Sequence, residues 1–168
     1  MLFHLSIAAR EPRHVASVIA ELWGGEALPF PALADSWMAV AGDARGTCIE
    51  VYPHDIVLRE TDGDADAHGE PAAGSGFTAT HAAIATNLGR DEVMAIAARE
   101  GWPAKYRRRG GIFGVVELWI EGRQMIEVLT PEMQAEYLAS WKDFLAQPAA
   151  ARRALVEGAA GQWPQNAG

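Results

Sequence analysis

The chain repeats itself. Cys48-Ile49-Glu50-Val51-Tyr52-Pro53 returns as Met125-Ile126-Glu127-Val128-Leu129-Thr130-Pro131, and the upstream His4-Leu5-Ser6-Ile7-Ala8-Ala9 returns as His81-Ala82-Ala83-Ile84-Ala85-Thr86. From His4 to Glu50 is 46 residues (50 − 4), from His81 to Glu127 is again 46 (127 − 81), and the copies are 77 apart (81 − 4). A repeat of this length restricts the fold, because both copies must form the same supersecondary unit. The shared His, the Ile-Ala after it and the shared Ile-Glu-Val carry the match; a lone Glu–Glu coincidence would carry nothing.

Local patterns agree with the repeat. In residues 2–9, Phe3, Leu5, Ile7 and Ala9 alternate with His4, Ser6 and Ala8, which predicts a strand. Pro12 suits a first helical turn, Val15, Val18, Ile19 and Leu22 recur at helical spacing, and Gly24-Gly25 stop the helix. Pro29 and Pro31 leave at most an edge strand near 26–32. Residues 36–42 and 46–53 then read as a hairpin turning at Asp43-Ala44-Arg45-Gly46. The second copy predicts a strand over 77–86, a helix from Arg90 to Glu100, and strands near 104–109, 112–120 and 123–129 with Glu121-Gly122 as a tight turn. The order strand, helix, three strands is used twice.

The expected architecture is α+β: two βαβββ modules forming a curved mixed sheet around a metal site, plus a C-terminal helix. A single domain covers 1–146, with module 1 at about 2–54 and module 2 at about 77–130. The Asp-, Ala- and Gly-rich stretch 60–76 reads as a flexible linker. Met133, Tyr137, Leu138, Trp141 and Leu145 mark an amphipathic helix over about 132–146. Residues 147–168 read as a weakly helical or disordered tail, with helix through 150–157.

Charge and composition remove several function classes. A net charge of −8 argues against nucleic acid as a partner. The lone cysteine, Cys48, excludes an intrachain disulfide and Cys-rich zinc sites, and suits a reducing, cytoplasmic compartment. No apolar run approaches membrane-spanning length, so no membrane is expected.

Strand alternation directs the four repeated polar residues. Glu50 points opposite Ile49 and Val51, and Glu127 opposite Ile126 and Val128, away from the helix-covered face. His4 shares its face with Ser6 and Ala8, and His81 with Ala79, Ala83 and Ala85; these small neighbours leave room for a cavity. Carboxylates inside a sheet need compensation. Two imidazoles and two carboxylates suit one divalent metal ion: Ni, Zn, Co, Mn or Fe.

With those residues in place, the chain resembles the vicinal oxygen chelate superfamily of glyoxalase I, bleomycin-resistance proteins and extradiol dioxygenases. The resemblance covers about residues 2–130 and is closest to the glyoxalase I branch. It implies the metal ligands His4, Glu50, His81 and Glu127, with Glu127 or Glu50 as catalytic base. It also implies a small-molecule substrate with adjacent oxygens, of the 2-oxoaldehyde or hemithioacetal type, isomerised through a metal-stabilised enediolate, and a homodimer. The modules of such proteins pair within one chain or across two. An extradiol dioxygenase would use His4, His81 and Glu127 with Fe(II), and a resistance-type protein would bind without catalysis. The chain departs from bacterial glyoxalase I at the glutathione anchors: Ala8 and His54 stand where an Arg and an Asn are expected, and Arg10 is a candidate substitute.

Further residues have weaker readings. The basic run Lys105-Tyr106-Arg107-Arg108-Arg109 reads as an edge strand, or as a lure for an anion. Trp37, Met38, Trp102, Phe113 and Trp119 are core or cavity candidates. Glu117 reads as the wet side of a strand, or as an extra acid in the cavity. His14 and His68 read as surface residues.

Overall fold

The computed structural model describes residues 4–31, 33–59, 68–74, 76, 78–151 and 154. Module 1 runs β1 (His4–Ala9), α1 (Pro12–Trp23), β2 (Glu26–Pro29), β3 (Trp37–Val40) and β4 (Cys48–Pro53). A hairpin follows, β5 (Ile56–Arg59) with β6 (His68–Pro71). Module 2 runs β7 (Ala82–Ala85), α2 (Arg90–Glu100), β8 (Ala104–Arg109), β9 (Phe113–Ile120) and β10 (Gln124–Leu129), and α3 (Pro131–Ala146) closes the fold.

The two modules share one topology. Their sheets are ordered β1-β4-β3-β2 and β7-β10-β9-β8, so in each unit the first strand lies at the sheet edge and pairs in parallel with the last. Ser6 lies opposite Glu50, and Ala83 opposite Glu127, so the repeat extends to strand register. Each helix covers the apolar face of its sheet. Val15, Ile19, Val51, Val93, Val116 and Val128 are fully buried there, each contributing about 1.5–3 kcal/mol. Gly24 ends α1 in the left-handed conformation (φ 65°), and a Cβ on Gly25 would lie 2.0 Å from the Val40 carbonyl oxygen, so this exit accepts glycine only. No helix among the described residues is long and apolar enough to cross a membrane.

Three expectations change. The strand expected over 77–86 is regular only from Ala82 to Ala85. The Thr80 N–H donates to Thr78 Oγ1 instead of a ladder, a local bond that competes with sheet pairing. His81 therefore stands just outside the strand. Second, the linker carries structure: β6 pairs with β5, Arg59 bridges Glu70, and Gly69 lies tight under Leu33. Residues 60–67 lie outside the described residues. Third, α3 buries only Met133, with Tyr137 packed on Phe113; Leu138, Trp141 and Leu145 are 66%, 46% and 58% exposed. The helix expected over 150–157 lies mostly outside the described residues.

Candidate functional site

Glu50 is the buried carboxylate of module 1, 8% exposed. Its Oε2 accepts hydrogen bonds from Ser6 Oγ and Tyr52 Oη, both at 2.8 Å, and its Oε1 is 3.9 Å from His4 Nε2. Parallel pairing of β1 with β4 makes this cluster, because it sets Ser6 beside Glu50 with His4 one pleat away. Neither Lys nor Arg pairs with Glu50 among the described residues. A buried carboxylate held only by hydroxyls and an imidazole is under-compensated. Burial, then the Glu50 hydrogen bond, pushes the Tyr52 phenol up; burial, then the Glu50 charge, does the same to the Cys48 thiol. Cys48 is thus kept as the thiol, a poor nucleophile.

Glu127 keeps different company. Antiparallel pairing puts Glu117 directly opposite it, and Arg109 on β8 reaches between them. Arg109 Nε donates to Glu127 Oε1 at 3.0 Å and Nη2 makes a second bond to the same oxygen; Nη2 also lies 2.9 Å from Glu117 Oε1. Burial works against the Arg109 charge, but the bonds and charges of Glu127 and Glu117 outweigh it and hold the guanidinium protonated. Glu127 Oε2 takes no hydrogen bond among the described residues. Glu117 therefore does face the Glu127 side of the sheet. Its sequence signal was alternation alone: Val116 and Leu118 beside it are fully buried on the other face.

His81 is exposed, with Nδ1 3.0 Å from the Ala79 carbonyl oxygen. The structure thus brings His4 to Glu50, gives Glu127 to Arg109 and Glu117, and leaves His81 apart from both carboxylates. Among the described residues, no group of three or more His, Cys, Asp or Glu gathers to hold a metal. The His4–Glu50 donors fit one: they are hard or borderline ligands with no resident cation. The Glu127 half fits only once Arg109 lets go.

Two cavities flank β1. One, of about 340 Å³, is lined by His4, Leu5, Trp23, Cys48 and the β7 edge. Trp23 is its tryptophan, and none of the five core-or-cavity candidates lines it. The other, of about 210 Å³, is lined by Ser6, Ala8, His54, Thr78, Thr80 and Arg123 among others. Ala8 and His54, the positions of the expected glutathione anchors, thus share one cavity, while Arg10 is exposed and is not among the residues lining it. The basic run is indeed an edge strand, and Arg107, Arg108 and Arg109 all pair with carboxylates. His14 is exposed and bonds Glu100, and His68 is exposed on β6.

Two crystal forms of the genomically encoded fosfomycin resistance protein FosX from Listeria monocytogenes superpose on this chain at 14% identity. The hexagonal form has a TM-score of 0.52 over 81% of this chain and 97% of that one; the monoclinic form at pH 6.5 has 0.54 over 83% and 97%. The fold is that of the vicinal oxygen chelate superfamily. Glyoxalase I of Leishmania major overlaps more loosely, with a TM-score of 0.47 at 14% identity over 85% of this chain and 96% of that one. No family model matches the sequence, and no curated protein does.

Proposed function

We propose that this protein is a divalent-metal-dependent lyase or isomerase of the glyoxalase type, acting on a small substrate with adjacent oxygens. The observation that carries the reading is the repeated His and Glu, with Glu50 and Glu127 at the same strand register in both modules and Glu50 buried without a cation among the described residues. His4 and Glu50 supply one half of the ligand set, His81 and Glu127 the other. A second copy of the chain joins the halves, consistent with the failure of the four to gather within one chain and with the uncovered apolar side chains of α3.

A bound divalent ion would act as a Lewis acid, drawing off the negative charge that develops on the substrate oxygens. The rest belongs to the chain. Ser6 and Tyr52 fix the Glu50 carboxylate by two hydrogen bonds to one oxygen. Glu127 keeps Oε2 unbonded, and it is the base: it removes the proton from the carbon beside the carbonyl and returns it to the neighbouring carbon. Until a metal takes it, Arg109, itself paired with Glu117, holds the Oε1 side of that carboxylate.

The test is metal analysis of the purified protein beside Glu50→Gln, His81→Ala and Glu127→Ala. The expected result is near-stoichiometric Ni, Zn, Co, Mn or Fe in the wild type and its loss in all three variants. A wild type that is metal-free and refuses all five added ions sinks the reading. Oxygen uptake with a catechol and iron would move it to ring cleavage. Retention of Arg109 on Glu127 favours a second reading, a resistance-type binding protein; ligand binding that survives chelation would select it.

A further inference from the structure

Among the described Lys and Arg residues only Arg109 and Arg123 are drawn partly out of water; every other is exposed. Arg109 lies between two carboxylates. Arg123 pairs with none among the described residues, although the chain carries 22 acidic residues against 14 Lys and Arg. A half-buried guanidinium without a counter-ion has lost hydration and gained no charge partner. An anion from outside would restore the balance.

Its surroundings are built and fixed. Arg123 lines the cavity of about 210 Å³ beside β1. It follows the Glu121-Gly122 turn, whose two left-handed residues (φ 50° and 70°) reverse the chain between β9 and β10. Glu121 pins that turn to the end of β1: its two carboxylate oxygens accept the backbone N–H groups of Arg10 at 2.8 Å and Glu11 at 2.9 Å. Both oxygens of this carboxylate, which also lines the cavity, are thereby occupied. Gln124, which also lines the cavity and is 7% exposed, donates to the Thr80 carbonyl oxygen at 2.5 Å. Thr80 N–H in turn donates to Thr78 Oγ1 at 3.1 Å, which leaves the Thr78 hydroxyl hydrogen free to donate elsewhere. Arg123, Thr78, Thr80 and His54 therefore line one small space. Ser6 lines it too, and the same Ser6 hydroxyl holds Glu50.

We propose that this cavity is an anion subsite in which Arg123 seats the carboxylate of a small oxo acid, the remainder of the molecule lying along β1 toward Glu50. A guanidinium presents paired N–H donors matched to a carboxylate. A volume of about 210 Å³ admits an acid of a few carbons. Placing the ligand as substrate rests on the function proposed above; binding of the acid does not.

The experiment follows backbone amide and arginine Nε–H signals of the chelator-treated, metal-free protein by nuclear magnetic resonance during titration with pyruvate and, separately, inorganic phosphate. Saturable shifts at the Arg123 Nε–H and at the Thr78 and Thr80 amides are expected with pyruvate. Arg123→Gln weakens the dissociation constant by about tenfold or more, the scale of a lost charge-assisted bond. Thr78→Val, which keeps the charge and guards against a folding defect in the first variant, weakens it by a smaller factor. An affinity unchanged in both variants, or shifts confined to exposed Arg10, Arg13 and Arg45, overturns the site. Phosphate binding at Arg123 as tightly as pyruvate overturns the oxo-acid assignment. Because no metal is present, failure here leaves the metal reading standing, while pyruvate binding by a chain that refuses metal defeats that reading alone.

Discussion

Glu50 and Glu127 occupy the same place in the repeat and live in opposite electrostatic conditions. Glu50 is buried among hydroxyls; Glu127 is bound to a guanidinium that it shares with Glu117. If Glu127 is a metal ligand, Arg109 competes with the ion for it, so removing the arginine changes metal affinity and apo stability in opposite directions. Arg109→Gln is expected to tighten metal binding by about tenfold, near 1.4 kcal/mol, while lowering the melting temperature of the metal-free protein, because Glu117 and Glu127 are left facing each other. Calorimetric titration with Ni or Mn checks the first, and thermal unfolding after chelation checks the second. Weaker metal binding in this variant would instead mark Arg109 as a support for Glu127. A duplicated His and Glu at one spacing names the four candidate ligands from the sequence alone, and of these the structure brings together His4 and Glu50. Their partners were not legible. Strand alternation says which way Glu117 points, but only antiparallel pairing of β9 with β10 says that it meets Glu127, and only the reach of the Arg109 side chain, from a position on β8 opposite Phe113, joins it to both.

The elements themselves follow from local rules almost residue by residue where glycine, proline and apolar period agree. α2 spans Arg90–Glu100 as its pattern predicts, and α1 begins at Pro12 and stops at Gly24. Where one side chain offered the backbone another partner, the prediction overran: Thr78 ends the strand that alternation alone extends through 77–86. The β5–β6 hairpin was hidden because His68-Gly69-Glu70-Pro71 has neither the apolar alternation nor the β-propensity of a strand. The two glycines after α1 separate two causes of cost. Gly24→Ala, which strains only a left-handed residue, is expected to cost about 1 kcal/mol. Gly25→Ala, whose Cβ would drive into the Val40 carbonyl, should cost about 2–3 kcal/mol. Urea unfolding orders the two, and equal losses would show that the Gly25 contact relaxes freely.

The link between the helices has a pH signature. Arg99 of α2 bridges Glu21 of α1, and Glu100 of α2 bonds His14 of α1 at 2.6 Å. The Arg99 hydrogen bond holds the Glu21 carboxyl below its ordinary value of 4.5. Burial raises the Glu100 carboxyl, but the bonds from Arg99 and His14 outweigh it and the net shift is downward. Carboxyls depressed in the folded state add stability that is complete above their unfolded values and is lost as pH falls through the folded ones. The helix contact should therefore hold from pH 7 to about 5 and weaken below about 4. Glu21→Gln should melt lower than wild type at pH 7 and equal it at pH 3; a gap that persists at pH 3 would assign the effect to packing. The increment is small, since Arg99 and Glu21 are 52% and 45% exposed.

At the scale of the whole molecule, the two halves of a duplicated chain can be completed within one copy or between two, and the halves predict different arithmetic. In a cross-chain site, His4 and Glu50 of one protomer face the second module of the other. His4→Ala homodimers and His81→Ala homodimers then lack every complete ligand set. A mixed dimer has one site with both histidines missing and one site with neither missing. After unfolding and refolding an equal mixture, half the dimers are mixed and each carries one intact site of two, so metal content should recover to about one quarter of wild type. A site closed within each chain recovers nothing on mixing, because every chain still lacks a histidine. The outer side of α3 bears on the same choice, since Leu138, Trp141 and Leu145 are exposed apolar side chains on it. If a second copy covers it, Trp141→Glu should shift the protein to monomer in light scattering and lower metal content together with dimer content. A Trp141→Glu monomer that keeps its full metal would place all four ligands in one chain.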